Sequence, residues 1–251
     1  MSNVFTRYVQ KNVGTSAVTL VTASAVTQTT VIGATICNTT SSPITASLFV
    51  NSSFTATGAT SGASTTLTIT AVSSGLIVPN QVITGTGISG TVTIVNQLTS
   101  TGTAAATIAF SSGGASGANT VTLANVTGVQ IGQLVSGTNL PTASTVLAIN
   151  TTTNTVTLSN NFTGQASGNY SFYAIGGVGT YTMSSAQTIS STTITSNTSY
   201  YIVSSATVPV GGALALFGGD GKLVLNTNDS VQAAMGTATS ADVILSVLQI
   251  S

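Results

Sequence analysis

The sequence contains almost no charged residues. Among 251 residues there are three Lys or Arg and three Asp or Glu, with no His and no Trp. An ordinary soluble domain carries about 25% charged residues. Disordered chains combine high charge with low hydrophobicity, whereas this chain is 42% apolar with a mean hydropathy of +0.50. We therefore expect it to fold around a hydrophobic core.

These absences exclude several classes of function. General acid–base catalysis draws mostly on His, Glu or Asp, and a Ser–His or Cys–His pair is impossible without His. Nucleic-acid binding needs a basic patch to contact phosphates, and no apolar run approaches the roughly 18 residues of a membrane span. We predict a non-enzymatic protein with no catalytic, cofactor-binding or metal-binding residues, and with neither nucleic acid nor membrane as a partner.

The single cysteine and the start of the chain carry weaker signals. Cys37 lies in the apolar stretch VIGATIC, which predicts a buried small hydrophobic residue rather than a reactive thiol. Arg7 and Lys11 precede VGTSAVTLVTASAV, which imitates a signal peptide. Thr and Ser dilute its apolar core, however, and the alternation in AVTLVTA favours a strand. We therefore predict no export.

The residues that are present favour β-structure throughout. Thr and Val fit a pleated sheet, and Gly, Asn and Ser supply turns at short intervals. Alternating apolar and hydroxyl residues predict strands at 17–21, 30–37, 44–50, 66–70, 91–95, 106–110, 120–124, 144–149, 155–159, 170–175, 180–183, 192–195, 199–203, 213–217, 222–225 and 242–250. LALFGGDGKLVL predicts a hairpin with Asp220 and Gly221 in its turn. The predicted fold class is all-β.

An internal repeat divides the chain. Residues 65–95 parallel residues 119–149, at an offset of about 52–54 residues, and 176–195 resemble the closing strands of the same unit. Repeated small β units usually extend a surface. All six charged residues lie outside this region.

The repeat suggests the domain layout. We predict a terminal β-sandwich, jelly-roll or immunoglobulin-like, built discontinuously from 1–54 and 198–251. Two small β-repeat domains, 55–113 and 114–197, are inserted into one of its loops, where long insertions are tolerated.

The terminal segments resemble small virion structural proteins of tailed phages, especially phages of cyanobacteria and marine bacteria. Residues 11–50, 200–233 and 241–251 carry this resemblance, including the Val-Pro-x-Gly-Gly turn at 208–212. The segment GTYTMSSAQTISSTTI (179–194) is similar to repeats in phage tail-fibre-like proteins. The resemblance implies a location in the virion, and it leaves head surface, neck, tail and fibre open.

Two kinds of binding site compete with purely structural explanations. Asp220, Asn226, Asn228 and Asp229 could offer oxygen ligands to Ca²⁺, but no known loop pattern is present, and turn or strand-start roles explain all three Asp residues, Asp242 included. Tyr173, Tyr181, Tyr200 and Tyr201 could stack on sugars, although tyrosine in β domains more often packs in the core or across strands.

The sequence therefore favours a multi-copy structural protein on the surface of a bacteriophage virion, assembled in the host cytoplasm. Its expected partners are other virion proteins and further copies of itself. Two alternatives remain open. One is a host-recognition adhesin that binds surface glycans through the inserted repeats, and the other is an exported bacterial surface adhesin.

Overall fold

A computed structural model describes residues 2–24, 26–217 and 221–250. Within these ranges the chain is all-β, as predicted, with antiparallel strands and no helix. None of the described segments is therefore a helix of the length and hydropathy that spans a membrane. The chain divides into a terminal unit, 1–54 with 196–251, and an inserted unit, 55–195. The sequence-based boundaries, at 54/55 and 197/198, lie within two residues of these.

The terminal unit is built from strands at both ends of the chain. Its strands are β1 (Asn3–Val13), β2 (Val18–Thr22), β3 (Gln28–Asn38), the first part of β4 (Ile44–Ala59), the end of β15 (Thr192–Val208), β16 (Ala213–Leu216), β17 (Leu223–Leu225), β18 (Ser230–Met235) and β19 (Ala241–Ile250). One sheet has the order β1-β19-β3-β16, with β17 also pairing with β3. In the second layer β18 lies between β2 and β4.

The two layers of the terminal unit bury one shared core. Alternation along each strand sends every second side chain inward. The core includes Val31, Ile36, Val243, Leu245 and Val247 from the first layer, and Leu48, Val50, Val231, Ala233 and Met235 from the second. This is a β-sandwich, and its apolar contacts are long-range in sequence because both chain ends contribute to it.

Two local predictions in this unit are wrong. β16 and β17 do not form a hairpin, because both pair antiparallel with β3, one after the other along the same edge. The predicted turn lies partly outside the described residues, which omit 218–220. Cys37 is partly exposed rather than buried, because its neighbour Ile36 takes the inward position on β3.

The inserted unit contains two sheet regions. Its strands are the end of β4, β5 (Ser64–Gly75), β6 (Val82–Gly85), β7 (Val92–Ser100), β8 (Ala106–Gly113), β9 (Thr120–Leu123), β10 (Leu134–Ser136), β11 (Val146–Asn150), β12 (Thr155–Leu158), β13 (Asn169–Tyr173), β14 (Gly179–Gln187) and the start of β15. One region has the order β6-β7-β14-β5, and the other has six strands in the order β10-β13-β8-β9-β12-β11.

The core of the six-stranded region is organised around an aromatic pair. Tyr170 and Phe162 are buried and meet edge-on, with ring centroids 5.9 Å apart, and the Tyr170 hydroxyl donates to the Thr138 carbonyl at 2.8 Å. Position 137 must be glycine for this arrangement, because a Cβ atom at Gly137 would lie 2.1 Å from the Tyr170 ring.

The first copy of the repeat contains a buried glutamine that holds a turn. The Gln81 side chain accepts a hydrogen bond from Val78 N at 2.9 Å and donates one to Leu76 O at 3.1 Å. Its main chain continues into the sheet, because Ile94 N donates to Gln81 O at 3.0 Å and Asn80 N donates to Ile94 O at 2.8 Å. One amide side chain thus fixes the turn that leads into β6.

The second copy forms the same network 52 residues further along the chain. The Gln133 side chain accepts from Gln130 N at 2.9 Å and donates to Gly128 O at 3.2 Å. Val146 N donates to Gln133 O at 3.0 Å, and Gly132 N donates to Val146 O at 2.9 Å. The repeat seen in the sequence is therefore also a repeat of hydrogen-bonding geometry, and we call this arrangement the glutamine clamp.

The strand pairing crosses the predicted boundary between repeat domains at 113/114. β14, from the second predicted domain, lies between β5 and β7 of the first. Conversely, β8 pairs with β9 and β13 of the second. The two predicted repeat domains are therefore interleaved, since each supplies a strand to the sheet that contains the repeat copy of the other.

The glutamine clamp gives a stability prediction. The Gln81 side chain is fully buried, so Gln81→Ala leaves main-chain groups without partners and creates a small cavity. We expect a loss of about 2–4 kcal/mol in the free energy of unfolding, measured by urea denaturation. Gln133→Ala should behave similarly.

The matched control is Gln130→Ala, since Gln130 is exposed and only its main chain joins the clamp. It should change stability by no more than about 0.5 kcal/mol. Equal effects of Gln81→Ala and Gln130→Ala would contradict the role of the clamp.

Candidate assembly surface

The first sheet of the terminal unit turns one face toward its core and the other toward solvent. On β1 the outward positions include Phe5, Arg7 and Val9, and the exposed fractions of Phe5 and Val9 are 72% and 52%. Tyr8, between them, packs against the core. We call the solvent side of β1, β19, β3, β16 and β17 the outer face.

Apolar side chains on the outer face form two rows across the strands. In one row Val9 lies opposite Ile244 of β19, and in the other Phe5 lies opposite Leu248. On β3, Thr30 lies opposite Leu248 and also opposite Val224 of β17, so Val224 extends the second row. Val224 is exposed, like Ile244. Exposed apolar groups scattered singly need no explanation, but a contiguous patch marks an interaction surface.

Three of the charged residues of the terminal unit also lie on this sheet. Arg7 and Lys11 are exposed on β1, and neither forms an ion pair or a side-chain hydrogen bond with any other described residue. Asp242 is half-buried on β19, where its carboxylate accepts a hydrogen bond from Asn12 N at 3.0 Å. The outer face therefore carries two cations without a side-chain partner among the described residues, close to a half-buried carboxylate.

β1 also leaves one of its edges open. It pairs with β19 along one side, and no strand of the described ranges pairs with its other side. Free edges expose main-chain donors and acceptors, and natural proteins protect them with charged side chains. Arg7 and Lys11 oppose direct pairing of two β1 edges, because such pairing brings four cations together. The geometry thus favours contact through the face.

The residues of the calcium alternative are explained by a turn. Asp229 is buried, its carboxylate accepts a hydrogen bond from Asn226 N at 2.9 Å, and its own N–H donates to Asn226 O at 3.0 Å. Asn228 takes a left-handed conformation with φ of 66° in the same turn. Asp220 lies outside the described residues. Among those that are described, no three His, Cys, Asp or Glu side chains come close enough to hold a metal ion.

The four tyrosines of the glycan alternative occupy different environments. Tyr181 is fully buried and donates its hydroxyl to Gly177 O, so it cannot stack on a sugar. Tyr201 is exposed and its ring lies 5.2 Å from that of Phe49. Tyr200 is half-buried, with its hydroxyl oxygen enclosed, and Tyr173 is half-buried on β13.

Pairs of hydroxyl groups lie on the solvent side of the six-stranded region. Thr122 and Thr155 meet across β9 and β12 with their oxygens 3.2 Å apart, and Thr107 and Ser171 meet across β8 and β13 at 3.0 Å. Tyr173 lies two positions from Ser171 on the same side of β13. This neutral polar surface contrasts with the apolar outer face of the terminal unit.

Sequence reasoning missed the strand that carries most of the outer face. β1 was assigned to no strand, because its two faces mix polar and apolar residues: Phe5, Arg7 and Val9 lie on one, and Thr6 and Tyr8 on the other. Period-two alternation is absent when an exposed face is itself partly apolar. The signal that was available is the β-branched and aromatic content of VFTRYV.

In comparisons with known proteins, no family model and no curated protein matches this chain.

The buried tyrosines predict a loss of stability at high pH. Burial raises the pKa of Tyr181 and Tyr170, and it raises that of Tyr200 together with the Asp229 carboxylate. Because the unfolded tyrosines ionise first, near pH 10, this stability is present below that pH and is lost as the pH rises above it. Urea denaturation at a series of pH values, from neutral to strongly alkaline, measures how steeply the free energy of unfolding falls with pH.

Tyr181→Phe tests the assignment. The variant loses the hydrogen bond to Gly177, so we expect it to be about 1 kcal/mol less stable at neutral pH. Above pH 10 its stability should fall less steeply, by about 1.4 kcal/mol per pH unit, because one titrating group is gone. Parallel slopes for the two proteins would show that Tyr181 does not contribute.

Proposed function

We propose that this protein is a non-enzymatic, multi-copy structural subunit on the surface of a bacteriophage virion, and that it assembles by packing its outer face against a second copy of itself. The observation that carries the proposal is the apolar outer face of the terminal unit, with Phe5, Val9 and Ile244 exposed beside unpaired cations. The resemblance of 11–50, 200–233 and 241–251 to tailed-phage structural proteins supports the virion location.

A second copy suits this face because the face is complementary to itself in charge. It presents Arg7 and Lys11 on β1 and Asp242 on the adjacent strand, so two copies facing each other can place a cation of one near the acid of the other. A closed oligomer built on a two-fold axis uses the same patch on both subunits. Aligned sheets pack face to face about 10 Å apart, with their side chains interdigitating.

Low charge on the rest of the chain is consistent with a subunit that works inside an assembly. Net charge is zero, so electrostatic repulsion gives copies little protection from association. Burying an exposed Phe or Val side chain contributes roughly 1.5–3 kcal/mol. Many weak contacts of this kind are sufficient to hold a subunit in a particle where each subunit has several neighbours.

The first experiment measures solution mass by light scattering coupled to size exclusion. We expect the wild-type protein to form a discrete oligomer and Phe5→Ser/Val9→Ser to shift toward monomer, with association weakened at least about tenfold. Leu147→Ser is the matched control, because Leu147 is 53% exposed, like Val9, and lies on β11 of the inserted unit rather than on the outer face. It should leave the mass unchanged.

A wild-type monomer at every concentration, or an unchanged oligomer in the double variant, would overturn assembly through this face. The virion location is tested separately by mass spectrometry of phage particles purified from the source culture. If the protein is absent from the purified particles, the proposed virion location is wrong, whereas the proposed self-association is unaffected.

The second candidate function is glycan recognition by the inserted unit. The hydroxyl pairs Thr122–Thr155 and Thr107–Ser171 favour it, because neutral sugars are bound by hydrogen bonds and need no charge. The full-length protein should then bind at least one glycan on an array of neutral oligosaccharides. Tyr173→Ala should reduce this binding severalfold, and Tyr201→Ala should leave it unchanged. Failure of every neutral glycan to bind would eliminate this candidate.

A further inference from the structure

The outer face contains a hollow between its two apolar rows. In the gap between the rows, Arg7 lies opposite Ser246, and Ser246 lies opposite Gly33 of β3. A Cβ atom on Gly33 would lie 3.7 Å from Cβ of Ser246, so these two positions point to the same side, and neither carries a side chain large enough to fill the space. The hollow has a volume of about 240 Å³, and its lining includes Phe5, Arg7, Ile32 and Ser246.

Phe5 lies at the rim of this hollow with most of its side chain in solvent, since its exposed fraction is 72%. The hollow is large enough to hold such a ring, because a cavity of about 150 Å³ binds benzene. Arg7 in the wall attracts the face of an aromatic ring through its positive charge. The outer face therefore carries, side by side, an exposed aromatic ring and a hollow that can hold one.

One arrangement of two copies brings each ring onto the hollow of the other. A two-fold axis that lies between the facing sheets and runs along their strands keeps the position along a strand and reverses the position across the sheet. Phe5 on the edge strand β1 then faces the inner strands of the partner subunit at the level of the hollow. The same axis places Lys11 of β1 near Asp242 of the partner subunit, because both lie at one end of the β1–β19 pair, where Asn12 N donates to the Asp242 carboxylate. Shape and charge therefore select the same axis.

We propose that Phe5 of each copy inserts into the hollow of the other, so that the two β1 strands of a pair run in the same direction. This inference rests on the proposed assembly through the outer face, and it adds the anchoring residue and the register. Aromatic side chains that fill a pocket near the centre of an interface carry much of its binding energy. Ser246 and Gly33 determine the fit, because their small size leaves room for the ring.

Ser246→Leu tests the hollow, with association measured by light scattering across a concentration series. The added side chain occupies the hollow and also makes the face more apolar, so a nonspecific apolar contact would be unchanged or strengthened. With Phe5 displaced, we expect association to weaken at least about tenfold. Thr35→Leu is the matched control, because Thr35 lies opposite Ile244 on the same sheet and outside the hollow. It should not weaken association, and circular dichroism verifies that both variants fold.

Cross-linking tests the direction of the strands without altering the hollow. Asn3→Cys and Val9→Cys are made singly in a Cys37→Ser background and treated with a bismaleimide that spans roughly 15 Å, enough to cross the ~10 Å between packed sheets. With the two β1 strands in the same direction, both variants should form covalent dimers. With opposed strands at most one should, because at least one of the two pairs would then lie about 20 Å apart along the strands.

The outcomes separate this inference from the proposed function. A wild-type monomer would overturn the proposed assembly and this inference together. This inference alone is overturned by an intact oligomer in which Ser246→Leu associates as tightly as the wild type. The same holds for an intact oligomer in which only one of the two cysteine variants, or neither, forms covalent dimers.

Discussion

The near absence of charged side chains is the constraint on which this structure depends. Several turns that other proteins fix with charged side chains are fixed here by neutral amides. Gln81 and Gln133 each hold a turn with both ends of the side chain. Asn38 does the same in the terminal unit, where its Nδ2 donates to the carbonyls of Ser42, Val208 and Pro209. Amides suit this role because one group both donates and accepts.

The same constraint divides the surface into two kinds of face. Without charges, a sheet can remain hydrated through hydroxyl groups, as on the six-stranded region, where Thr and Ser side chains pair across strands. The sheet that carries Phe5, Val9 and Ile244 exposes apolar groups instead, which is the usual character of an interaction surface. Arg7, Lys11 and Asp242 lie on this same sheet. In the assembly that we propose, these charges would select the register between copies, which is the role that charged groups fill best at interfaces.

Most of the fold could be predicted from the sequence because most strands have one buried and one solvated face. The segments around Leu67, Val121 and Val243 alternate cleanly, and all are strands. β1 and β18 could not be predicted in this way, because Phe5 and Val9 are apolar yet exposed, and Ala233 and Ala234 give no contrast between faces. The false hairpin has a different cause. Turn chemistry at 218–221 is compatible with a hairpin, but both flanking strands pair with β3 instead, and tertiary contacts outweigh local turn preference.

The candidate sites were the least predictable part, and the reason is topological. The outer face exists because β1 and β19, from opposite ends of the chain, pair across nine positions. A cavity beside Ile94, Leu134 and Tyr181 is likewise formed by segments that are distant in sequence, since β14 lies between β5 and β7. Neither neighbourhood is encoded in a local motif, and both depend on long-range pairing. The residues with the most reactive side chains, such as Asp229 and Tyr181, instead hold a turn and pack in a hydrophobic core. In a chain with so few reactive groups, the candidate surfaces are defined by shape and packing, and these become visible only when the sheets are assembled.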